Sequence, residues 1–139
     1  MDEVVHERQG SPILRIEGES DGWLALVREA IRDVIGVDID ADASSAFLTA
    51  VTEIATNAEA AGVRAGATRP VVVAVDADRR SVEVSDFGGG FDPEQHRGLP
   101  DPSVTSGRGL HIARTFCPGL TWTRTATGMT CTLPFPEPI

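Results

Sequence analysis

The chain contains no lysine; all 12 of its basic residues are arginine. That absence excludes three chemistries at once: the phosphate-gripping lysine of P-loops, the strand lysine of protein kinases, and any Schiff-base lysine. Cysteine is scarce. Cys117 and Cys131 have no metal-type spacing with each other or with His6, His96 and His111, so they read as two free, buried thiols. No apolar run approaches transmembrane length. The acidic opening MDEVVHERQG has no apolar segment of the kind a signal peptide needs. These two absences predict a cytoplasmic protein without a membrane partner. Positive charge is also short: 21 acidic residues against 12 basic ones leave a net charge of −9. Direct nucleic-acid binding needs a basic surface and is not expected.

What is present suits one compact domain. The 139 residues are 41% hydrophobic and 24% charged, enough for a single core and too few for a second. Residues 1–11 are polar, end in Gly10-Ser11, and are expected to be a flexible arm, leaving 12–139 as the domain. Pro12 to Glu19 predicts a short strand. From Trp23 to Ile35, Leu24, Val27, Ile31 and Val34 recur at helical spacing, with Asp21 as the expected N-cap and Gly36 as the stop. Asp42 or Ser44 is expected to cap a second helix carrying FLTAVTEIATNAEAAG (47–62), ended by Gly62 and Gly66. The β-branched run Val71–Val75 predicts a strand buried on nearly both faces, and a turn at 76–80 leads into a partner strand that ends at Asp86. Residues 87–106, rich in Gly, Pro, Asp and Ser, predict a long lid. A helix over Gly107–Phe116 and a hairpin over Leu120–Thr127 and Met129–Phe135 complete the order. Helices early and strands late favour a two-layer α+β sandwich over a doubly wound sheet.

Three stretches carry candidate chemistry. On the 47–62 helix, Phe47, Val51, Ile54 and Ala58 form an apolar stripe, and Glu53 and Asn57 lie four apart on a neighbouring face. A carboxylate one turn from a carboxamide can orient a nucleophile and hold a divalent metal, although taken alone the pair reads as a solvated polar face. Asp86-Phe87-Gly88-Gly89-Gly90-Phe91 sets a carboxylate at a strand end beside glycines. Such an Asp can accept a hydrogen bond from an adenine amino group, with the glycines letting the backbone approach the ring. Gly107-Arg108-Gly109-Leu110 opens a helix whose free N–H groups and positive dipole end suit phosphates. Arg108, or Arg97 within the lid, can neutralise a terminal phosphate.

In this order the three stretches resemble the N, G1 and G2 boxes of the GHKL (Bergerat-fold) ATP-binding superfamily, over about Asp42 to Phe135. Within it the chain looks most like the anti-sigma-factor serine/threonine kinases, to which Gly90-Phe91-Asp92-Pro93 and the Gly-x-Gly-Leu second box are similar. The resemblance implies a mixed sheet covered on one face by helices, with ATP and Mg²⁺ as cofactors. Glu53 would be the catalytic base, Asn57 the metal ligand and Asp86 the adenine reader. Gly88 and Gly90 would line the base, and Gly107, Arg108, Gly109 and Leu110 the phosphates. The implied partners are a sigma factor, an anti-anti-sigma factor of the STAS type that is phosphorylated on serine, and a second copy of the chain as a homodimer. The chain departs from the pattern at Ala61, where a polar residue is common, at Phe87 and Gly89, which replace the usual Arg and Pro, and at His111. Ala61, Phe87 and Gly89 motivate the alternative of a catalytically weak or inactive nucleotide-binding module that regulates a transcription factor.

Overall fold

The computed structural model describes residues 3–8, 11–18, 21–36, 39–66, 69–87 and 108–138. Strands β1 (Glu3–Arg8) and β2 (Ser11–Glu17) are followed by helices α1 (Trp23–Ile35) and α2 (Ala41–Ala65). Next come β3 (Val72–Asp76), β4 (Ser81–Asp86), helix α3 (Arg108–Phe116), β5 (Thr121–Arg124) and β6 (Met129–Pro134). The strands form one sheet in the order β1-β2-β3-β4-β6-β5. This is the expected two-layer α+β arrangement with two corrections. Every strand pairing is antiparallel, so the sheet is not mixed. Residues 3–8, expected within a flexible arm, pair with β2 from Glu3↔Ile16 to Arg8↔Ser11. The lid expected over 87–106 lies outside the described residues apart from Phe87.

Side chains alternate across a strand, so the register assigns each residue to a face. Leu14, Ile16, Val73, Val75, Val82, Val84, Cys131 and Leu133 share one face and belong to the hydrophobic core or pack against it. The opposite face carries Arg15, Ala74, Glu83, Ser85, Thr130, Thr132, Thr121 and Thr123. There Ser85 and Thr130 hydroxyls pair at 2.9 Å directly across the ladder. Among the described residues, the helices pack on the first of these faces.

The helix ends follow from local chemistry. Gly22 precedes α1 at φ 83°, a conformation that suits glycine better than the Asp21 expected as cap, and the N–H of Gly36 returns to the Arg32 carbonyl. Asp40, two residues before the expected Asp42 and four before Ser44, caps α2: its Oδ2 accepts from the N–H groups of Asp42 and Ala43, both at 3.1 Å. α2 runs through Gly62 to a left-handed Gly66. Its apolar stripe behaves as expected, with Phe47, Val51, Ile54 and Ala58 all buried. Phe47 meets Phe135 edge to face at 5.6 Å, joining α2 to the chain after β6. On the other flank the Trp23 indole N–H donates to Glu59 at 3.2 Å. α2 thus lies across the sheet between α1 and α3, touching both.

Candidate functional site

α2 sets the floor of the candidate site. At 100° per residue, Asn57 falls on one edge of the buried stripe, beside Ala50 and Ala61, and Thr52 and Glu59 lie on the edge toward α1; Glu53 stands between Asn57 and Thr49 and borders the space between α1 and α2. Both candidates are half-buried, neither sealed in the core nor free in solvent. Ala61, one turn beyond Asn57, is buried. A polar group there would have to be taken out of water, so the small apolar side chain is consistent with its surroundings.

β4 supplies the second component. Asp86 shares the helix-facing side with Val82 and Val84 and is only 4% exposed. A buried carboxylate at a strand end, beneath a helix layer that contacts the same strand, is costly unless a partner answers it, and Asp86 is not left without one. Opposite it in register stands buried Met129. The β5–β6 hairpin presses on this strand end. A Cβ at Gly128 would overlap the Asp86 carbonyl oxygen and come within 2.8 Å of the Asp86 carbonyl carbon and 3.0 Å of the Phe87 Cα. Gly128 is needed here for close approach. The turn is held by Thr125, whose Oγ1 accepts from the N–H of Gly128 at 2.9 Å and of Thr127 at 3.3 Å, while its own N–H donates to the Gly128 carbonyl at 2.9 Å.

Phe87 is the next residue along, and alternation turns it toward the other side of the sheet. There the Arg69 guanidinium lies 3.8 Å above its ring centre, a cation–π contact that ties the approach to β3 to the end of β4. The departure at position 87 therefore has a structural use: it anchors the strand end that carries Asp86.

α3 supplies the third component. It begins at Arg108, so Arg108, Gly109 and Leu110 form its first turn, where backbone N–H groups lack intrahelical partners. The helix is seated by fully buried Ala113 and packs on α2. His111 is half-buried, and its carbonyl accepts the Thr115 hydroxyl at 2.9 Å. Gly88, Gly89, Gly90, Arg97 and Gly107 lie outside the described residues.

Glu53, Asn57, Asp86 and the first turn of α3 thus sit on three elements that pack together, with α2 against both β4 and α3. Among the described residues no three His, Cys, Asp or Glu side chains converge on a possible metal position. A hard cation such as Mg²⁺ keeps several waters and takes oxygen from its phosphate ligand, so one carboxamide oxygen at Asn57 fits that mode of binding. A carboxylate at Asp86 likewise has the acceptor chemistry that the amino group of a base requires.

The sequence pattern of the histidine kinase-like ATPase domain matches residues 20–135. The chain belongs to that family. The family falls in the GHKL superfamily and includes anti-sigma-factor kinases. No characterised protein and no solved structure matches the chain. Among the described residues, no helix of this ATPase-family protein is long and apolar enough to cross a membrane.

Two contributors escaped the sequence reading. Thr127-Gly128 reads only as a hairpin turn, and nothing local shows that Gly128 abuts a strand 42 positions earlier in the chain. Met129 reads as one apolar residue in an alternating strand. Only the register puts it against Asp86.

Proposed function

We propose that the protein binds Mg·ATP against α2, the end of β4 and the start of α3, and phosphorylates a serine of an anti-anti-sigma partner of the STAS type. In the same reading it sequesters a sigma factor, works as a homodimer, and uses neither nucleic acid nor membrane as a partner. The observation that carries this is the pair Glu53 and Asn57, half-buried on one flank of α2, in a chain of the histidine kinase-like ATPase family.

Bound Mg·ATP would supply the phosphoryl group and the cation that offsets its charge. Asp86 would accept a hydrogen bond from the exocyclic amine of the base. Asn57 offers its carboxamide oxygen to the metal. The first turn of α3, from Arg108 through Gly109 to Leu110, would direct N–H groups at phosphate, with Arg108 or Arg97 countering the terminal charge. Glu53 Oε accepts the proton of the incoming serine hydroxyl and orients that oxygen for in-line attack.

Glu53→Gln keeps the size of the side chain and removes the base. Fluorescent-nucleotide titration should therefore show binding within about twofold of the parent, while labelled phosphate transfer to a co-purified partner falls by roughly 10²–10⁴-fold. Undiminished transfer would refute the role given to Glu53. The second reading, a binding module without catalysis, draws on buried Ala61, which places no polar group one turn beyond Asn57. Any stoichiometric transfer by the parent protein eliminates it.

A further inference from the structure

Between α1 and α2 runs an open groove of about 360 Å³ that the proposed chemistry touches only at Glu53. Arg28 and Arg32 form the α1 wall. Ser45, Thr49 and Thr52 line the α2 wall, and Glu53 is the lining residue furthest along α2.

The two arginines sit one turn apart, and like charges at that spacing cost an isolated helix about 0.2–0.5 kcal/mol. Arg32 lies in the last turn of α1, where the helix dipole welcomes a cation. Arg28 has no such reason. Among the described residues neither guanidinium has an ion pair or hydrogen bond. In a chain of net charge −9, two unanswered guanidinium groups on one groove wall are a local complement to carboxylates. The opposite wall argues for a polypeptide over a small anion. The Thr49 and Thr52 hydroxyl protons are committed to the Ser45 and Leu48 carbonyls, at 3.0 and 2.8 Å. Those hydroxyl oxygens are left as acceptors, which repel a bare anion and suit backbone N–H groups.

We infer that this groove docks an acidic segment of the protein substrate, its carboxylates on Arg28 and Arg32, and its acceptor hydroxyl delivered to Glu53. Only the last clause rests on the kinase reading given above. Docking itself is independent of it.

The test uses a short fluorescein-labelled peptide of glutamates around one serine, with glutamine and lysine counterparts, titrated at low salt because the contact is electrostatic. The glutamate peptide should bind at least about tenfold more tightly than the glutamine peptide. R28E/R32E should lose that preference and favour the lysine peptide. Thr49→Glu, an exposed change on the α2 wall, should weaken glutamate-peptide binding by itself. Unaltered fluorescent-nucleotide binding by each variant shows that it is folded. Equal binding of glutamate and glutamine peptides overturns the inference, as does full glutamate-peptide binding by folded R28E/R32E. It also falls if tripolyphosphate binds more tightly than the glutamate peptide and loses affinity in R28E/R32E, since the groove is then a small-anion site. Selective docking without phosphate transfer to the serine refutes the kinase reading and leaves the groove assignment standing. Transfer indifferent to peptide charge does the reverse.

Discussion

Gly128→Ala tests whether the β5–β6 hairpin holds the buried Asp86 in place. The added Cβ would fall on the Asp86 carbonyl oxygen, with the Asp86 carbonyl carbon at 2.8 Å and the Phe87 Cα at 3.0 Å. All three are backbone atoms, so no side chain can swing aside, and either the hairpin or the end of β4 must move. Over-packing of this kind costs about 1–3 kcal/mol. Displacing the turn also endangers the Gly128 N–H to Thr125 Oγ1 bond and the Asp86↔Met129 pairing, at about 1 kcal/mol each. A total of about 3–5 kcal/mol, against an unfolding entropy of about 0.3 kcal/mol per kelvin for a chain of this size, lowers Tm by roughly 10–17 °C. Because Asp86 moves with the strand end, nucleotide affinity should fall by about 10–100-fold, the worth of one hydrogen bond to a charged group. Thermal melts paired with fluorescent-nucleotide titration read both effects. Thr127→Ala, on the same turn but exposed and bonded there through its backbone N–H, is the control and should leave both unchanged. A Gly128→Ala protein that melts within about 2 °C of the parent and binds nucleotide equally would refute the reasoning.

Asp40→Ala should lower stability by about 1 kcal/mol, read as a shift in the urea midpoint, because two N–H groups at the start of α2 lose their acceptor. The thiols set an alkaline limit. Burial raises the pKa of Cys117; burial chiefly, with the neighbouring Cys117 adding to it, raises that of Cys131 against the opposing charge of Arg114. An unfolded thiol ionises at its ordinary value of 9.0 while the folded ones keep their protons, so the stabilisation is complete below pH 9.0 and declines as pH rises above it. Urea midpoints from pH 7 to 10.5 should show that decline, and Cys131→Ala should flatten it. For the same reason thiol reagents near neutral pH should label the native protein far more slowly than the denatured one.

Where periodicity was strong, the fold was legible from the residues. Trp23 to Ile35 is a helix with the predicted limits, and every member of the Phe47, Val51, Ile54, Ala58 stripe is buried. Boundaries failed where one local signal outweighed another. Gly62 looked like a stop, but one glycine costs a helix only about 1 kcal/mol, and the alanines around it carry α2 on to Ala65. β1 was missed because EVVHER has two apolar residues side by side and no alternation; it pairs because β2 offers it an edge. Of the candidate site, Glu53, Asn57 and Asp86 were singled out from their spacing and from the glycines that follow Asp86, and the fold sets their elements against one another. The Trp23–Glu59 bond, the Arg69–Phe87 stack and the Gly128 contact join residues far apart in the chain, and only the folded register brings them together.

The antiparallel pairing of β4 with β6 has a consequence for how this chain can vary. Asp86 is fixed in the ladder opposite Met129, and α3 is seated separately on α2. The two ends of the span from Phe87 to Arg108 are therefore each anchored by contacts among the described residues. Doubling the length of such a span adds only about 0.6 kcal/mol of closure entropy, less than the loss of one helix cap. The architecture thus fixes both ends of that span without fixing its length, while the helix that carries Glu53 and Asn57 keeps its place.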